Sequence, residues 1–85
     1  MANIQFTDNA FRYHRGGDNG LIYEISDDDS SGDPKYYGYL ASNGAWIIME
    51  WNEASGTYRY AAGVSLYGAN WTARASLDYG YYNLI

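Results

Sequence analysis

The sequence has no cysteine, a single proline, a single histidine and only five basic residues in 85. Without cysteine, no disulfide can staple the fold and no thiolate can bind metal or act as a nucleophile. The only cations are Arg12, Arg15, Lys35, Arg59 and Arg74, against ten acids and a net charge of -5. Nucleic-acid binding draws most of its affinity from neutralised phosphates, so nucleic acid is excluded as a partner. The longest apolar run, Ala45-Trp46-Ile47-Ile48-Met49, is strand-sized. A membrane helix needs about 20 such residues, so no membrane partner is expected. The first residues, Met1 to Phe6, show no basic segment followed by an apolar stretch, so no secretory signal is expected and synthesis is placed in the cytoplasm.

Aromatic residues, in contrast, are abundant: eleven Tyr, three Trp and two Phe make up 19% of the chain. Such side chains suit pleated, half-buried surfaces and also supply rigid contact area at interfaces. The length accommodates one domain, residues 1–85. A chain this short buries roughly 60–65% of the surface its unfolded state exposes, which leaves a thin core and favours assembly.

Glycines recur along the chain with strand-like runs between them, and no window sustains a helical apolar period. The expected fold is all-β, a small antiparallel β-sandwich or barrel with meander hairpins. Strands are expected at Ile4–Thr7, Phe11–His14, Leu21–Ser26, Tyr36–Ala41, Ala45–Trp51, Thr57–Ala62, Trp71–Ala75 and Leu77–Tyr82. Asn43-Gly44 between two apolar runs predicts a two-residue type I′ turn. Asn52-Glu53-Ala54-Ser55-Gly56 predicts a five-residue hairpin loop.

Those turns set a register. Ala41 is expected opposite Trp46, Tyr39 opposite Ile48 and Tyr37 opposite Glu50. In the next hairpin, Glu50 is expected opposite Tyr58, Ile48 opposite Tyr60 and Trp46 opposite Ala62. Tyr37, Tyr39, Trp46, Ile48, Tyr58 and Tyr60 then share one face with Glu50, and are the candidate binding or interface residues. Tyr36, Leu40, Ile47, Met49, Trp51, Arg59 and Ala61 share the other. A sheet with one wet face alternates apolar with polar residues, and this one does not, so both faces need cover. One can pack on Leu21, Tyr23, Ile25, Leu77, Tyr79 and Tyr81. The other is expected to meet another copy of the chain, a larger protein or a ligand.

No residue pattern carries catalysis or a cofactor. His14 has no Gly-x-Ser-x-Gly elbow, second histidine or cysteine to work with, and reads as an edge residue. Glu50 with Glu53 or Asp78 lacks the cleft a glycosidase pair needs. Asp27, Asp29, Ser31 and Asp33 alternate oxygens as a calcium loop does, but Gly38 stands where its bidentate Glu belongs. The acidic loop from Asp27 to Pro34 is therefore read as solvated and not in need of metal, with weak calcium binding as the alternative. Asn70-Trp71-Thr72 fits a glycosylation acceptor, to no effect without secretion. Tyr37, Tyr39, Tyr58 and Tyr60 with Glu50 also form a platform on which sugar rings can pack, so a carbohydrate-binding module is the alternative to a protein interface.

Several segments carry a resemblance: Tyr36-Tyr37-Gly38-Tyr39, Gly44-Ala45-Trp46-Ile47-Ile48-Met49-Glu50, Gly56-Thr57-Tyr58-Arg59-Tyr60-Ala61-Ala62-Gly63, and Asn70 to Tyr79. Together they cover about half of the chain, which resembles small uncharacterised proteins of tailed bacteriophages. The resemblance implies a non-enzymatic virion accessory subunit of decoration, fibre or tail-adaptor type, in a homo-oligomer or on a larger virion protein. It implies no functional residues of its own.

Overall fold

The computed structural model describes residues 4–7, 12–15 and 22–84, the side chains of the first two segments and of Leu84 excepted. The strands are β1 (Ile4–Thr7), β2 (Arg12–Arg15), β3 (Ile22–Asp29), β4 (Lys35–Ala41), β5 (Trp46–Asn52) and β6 (Thr57–Gly63). They form one antiparallel sheet in sequence order. The all-β antiparallel fold with meander hairpins expected from the sequence is observed, and among the described residues its strands form a single six-stranded sheet. His14 takes its place in β2 opposite Gln5 and Ile22, and its side chain lies outside the described residues.

Beyond β6 the expected strands at Trp71–Ala75 and Leu77–Tyr82 do not form. The chain turns instead into helix α1 (Tyr67–Thr72), then into 3-10 turns at Arg74–Ser76 and Tyr82–Leu84. The reason is tertiary. Tyr67 and Trp71 lie one helical turn apart with rings 6.2 Å apart, and together pack onto the sheet over Gly38. A Cβ on Gly38 would collide with the Tyr67 hydroxyl and crowd the Trp71 ring, so the missing side chain is the slot that seats the helix. The entry is made by Leu66 in the left-handed region, φ 63°, while Asn70 and Thr72 bond back to the carbonyls of Leu66 and Gly68.

Both hairpin registers differ by one residue from expectation. The β4–β5 connection is a three-residue loop, Ser42-Asn43-Gly44. The Gly44 amide donates to the Ala41 carbonyl at 3.0 Å, and the Ala41 amide to the Ala45 carbonyl at 2.8 Å. Only Gly44 has positive φ, 94°, as in a type I turn closed by a left-handed glycine. Asn43 uses its Oδ1 to accept the Ala45 amide rather than adopting positive φ. Tyr39 thus sits opposite Ile47, and Tyr37 opposite Met49. In the second hairpin Asn52 pairs with Thr57, leaving a four-residue loop, and Met49 sits opposite Tyr60.

A one-residue slip moves a strand's side chains to the other face. The two slips flip β5 alone, because they cancel between β4 and β6. One face therefore carries Tyr23, Ile25, Tyr37, Tyr39, Ala41, Ile47, Met49 and Tyr60. The other carries Tyr36, Leu40, Trp46, Ile48 and Ala61, covered by Tyr67, Trp71, Leu77 and Tyr79. Both faces are buried within the single chain: Ile47 is 1% exposed on the first and Ile48 0% on the second. Each of these isoleucines contributes about 1.5–3 kcal/mol by burial. The expectation that one sheet face is left for a second molecule to cover does not hold for this core.

The first three residues of the acidic segment, Asp27 to Asp29, end β3, and only Ser30 to Pro34 form the turn. β3 carries a bulge between Ile25, opposite Tyr39, and Asp27, opposite Gly38. The extra residue, Ser26, switches facing, so Asp27 and Asp29 reach the helical face. There Asp27 accepts the Tyr67 hydroxyl at 2.8 Å, and Asp29 pairs with Arg74 at 2.9 Å. Asp33 instead accepts the amides of Glu53 and Ala54, tying the β3–β4 turn to the next hairpin turn, where Lys35 also meets Glu53 at 2.7 Å. The carboxylates are dispersed onto protein donors, and among the described residues no group of three His, Asp or Glu could hold a metal ion.

Candidate functional site

At the outer edge of β6 the chain returns after Tyr79. Gly80 exchanges backbone hydrogen bonds with Tyr60, at 2.8 and 2.9 Å. This bridge anchors the following turn beside the first half of β6 and encloses a half-open groove of about 510 Å³. Gly56, Thr57, Tyr58, Arg59, Tyr60, Tyr81, Tyr82 and Asn83 line it. Because the groove straddles the strand edge, it takes side chains from both faces of the sheet.

Its walls are aromatic and held in place. Trp51 and Tyr58 stack at 5.7 Å with rings nearly parallel, 9° apart. The Lys35 ammonium lies 5.4 Å from the Trp51 ring. Tyr82, which is buried, meets Tyr60 edge to face at 5.2 Å. Burial raises the Tyr60 hydroxyl above the ordinary phenol range, so it stays a protonated donor well past neutrality. Arg59 places its guanidinium 4.4 Å from the Tyr81 ring and donates from Nη1 to the Tyr58 carbonyl at 2.9 Å. Two rings stay open to solvent, Tyr58 at 47% exposed and Tyr81 at 61%.

The six residues singled out from sequence are divided by the fold. Tyr37, Tyr39 and Tyr60 share the face expected of them, but Tyr39 is buried and Tyr37 half-buried in the core. Trp46 and Ile48 lie on the opposite face and inside the chain, so neither belongs to a surface with the tyrosines. The Trp46 indole donates to the Ser65 carbonyl at 2.7 Å, a structural task. Tyr58 and Tyr60 are the two that reach the groove. Glu50, placed from sequence in the same patch, lies on the helical face and accepts the Tyr36 hydroxyl at 3.3 Å. Arg59, Tyr81, Tyr82 and Asn83 were missed as site residues. The Tyr81-Tyr82 pair next to a glycine was the available signal, but a strand reading gave it to the core.

Among the described residues, no helix is long and apolar enough to cross a membrane. No family model matches the chain, and neither a curated protein nor a solved structure matches it.

Proposed function

We propose that this chain is a non-enzymatic binding module whose ligand site is the aromatic groove between β6 and the C-terminal turn, and that the ligand is a carbohydrate. The observation that carries this reading is the exposure of Tyr58 and Tyr81 on a groove where Trp51 backs the Tyr58 ring and Tyr82 holds Tyr60 edge to face. Sugar rings pack their C–H faces on such π surfaces, while hydroxyls find polar partners at the rim. Thr57, Arg59 and Asn83 supply that rim. The setting is the one the sequence resemblance implies, a virion accessory subunit.

A second surface favours a protein contact in the same setting. Val64 and Leu66, 84% and 74% exposed, follow β6 at its far end from the groove, and Ile22 lies at that same end of the sheet. An exposed apolar end of this kind suits docking on a larger virion protein or on another copy. With ligand at one end and attachment at the other, the two readings are compatible.

A glycan array probed with the labelled chain tests the groove. Binding should be lost in Tyr58→Ala and Tyr81→Ala, with melting temperatures close to that of the parent. Failure to retain any glycan, or retention unchanged in both variants, overturns the carbohydrate reading.

A further inference from the structure

We infer that the groove selects acidic saccharides, with Arg59 as the carboxylate receptor. This rests on the groove being the carbohydrate site. Among the described residues that line it, Arg59 is the only charged one. In a chain with ten acids against five bases, an arginine ordinarily finds a carboxylate. Lys35 pairs with Glu53 and Arg74 with Asp29, but among the described residues Arg59 has no ion pair. Its cross-strand neighbour is Glu50, whose carboxylate accepts the Tyr36 hydroxyl.

Arg59 is nevertheless held. The Tyr81 ring supports one face of the guanidinium, and the Tyr58 carbonyl takes a single N–H. A guanidinium has five N–H donors in a rigid fork, so most of its hydrogen-bonding capacity remains unspent. Stacking on a ring orients that fork without neutralising its charge. The partner this geometry fits is a planar anion that can accept two parallel N–H bonds, which is a carboxylate. The rings beside it add a requirement. The carboxylate must be borne on a body with an apolar face to lie on Tyr58 or Tyr81, and with hydroxyls for Thr57 and Asn83. Uronic and sialic acid residues meet both requirements at once. The molecule's overall negative charge repels such ligands at long range, so discrimination comes from the local Arg59 bonds and not from steering.

The test uses the full chain and two acidic probes, trigalacturonate and sialyllactose, each against its neutral methyl ester. Chemical-shift changes at the Tyr58 and Tyr81 rings report binding. At least one acid should bind more tightly than its ester by about tenfold or more, the worth of a charge-assisted hydrogen-bond pair. In Arg59→Gln the acid should fall to the level of its ester, while Tyr81→Ala should weaken both. A thermal melt of Arg59→Gln close to the parent's shows that the loss is not unfolding. If the esters bind as well as the acids, or Arg59→Gln leaves the preference intact, acidic selection is overturned and the carbohydrate groove stands. If neither acids nor esters move those rings, the acidic inference falls, and the glycan array then decides whether the groove reading falls with it.

Discussion

The Tyr67 hydroxyl donates to the Asp27 carboxylate at 2.8 Å across 40 residues of sequence, directly over the backbone of Gly38. That one contact joins the helix to the bulged strand. Removing the hydroxyl in Tyr67→Phe should cost about 1 kcal/mol. Gly38→Ala should cost more, about 1–3 kcal/mol, because its methyl group must displace the Tyr67 and Trp71 rings. Urea denaturation of the two variants measures the order. A neutral Gly38→Ala would mean that the helix does not occupy this slot.

The Ser42–Gly44 turn makes unequal demands on its residues. Gly44 has φ 94°, whereas Asn43 contributes a side-chain hydrogen bond to the Ala45 amide. Gly44→Val should therefore lower the melting temperature well below that of Asn43→Ala. The alanine variant should lose about 1 kcal/mol or less. Equal effects would point to a two-residue turn with both residues at positive φ.

Leu66 combines φ 63° with 74% exposure, so its side chain gains little to offset a backbone conformation that costs an L-residue about 1–2 kcal/mol. Leu66→Gly should raise stability by about 0.5–1 kcal/mol, the backbone relief slightly exceeding the added chain entropy of glycine. A calorimetric melt that moves downward would show that Leu66 is held by contacts through its side chain.

Buried tyrosines make the fold sensitive to alkali. Burial pushes the Tyr39 hydroxyl from 10.0 up to about 12, and it pushes Tyr67 and Tyr79 up as well. A raised phenol value means that the unfolded chain ionises first. The contribution to stability is full below pH 10 and is lost as pH climbs through the folded values. The melting temperature should be level on the neutral side of that window and fall steeply above it, together with the rise of tyrosinate absorbance. Ionisation of all eleven tyrosines without any loss of stability would contradict the burial pattern.

Charge substitutions separate core from surface. Tyr39→Asp and Ile48→Asp should both unfold the chain, since each face of the sheet has its own buried cluster. Tyr58→Asp should leave the fold intact, because that ring is 47% exposed. Circular dichroism distinguishes these outcomes. A folded Tyr39→Asp variant of altered mass would restore the sheet face as an assembly surface.

What the sequence determined by itself was local: where the six strands of the sheet run, and that Tyr37, Tyr39, Tyr58 and Tyr60 share a face. That last result survived two register slips only because β4 and β6 each pair with β5 and the slips cancel. The tertiary structure decided which way β5 faces, since a side-chain period of two lets one turn residue invert a whole strand. It also decided that Tyr67–Thr72 is helical. The cause lies in the Gly38 slot on β4, beyond the reach of any local pattern. The groove followed from the Tyr60–Gly80 bridge, which brings Tyr81 and Arg59 together at the edge of β6. The spacing of residues along the chain carries no record of that return, because the hydrogen bonds that make it exist only once β6 is in place.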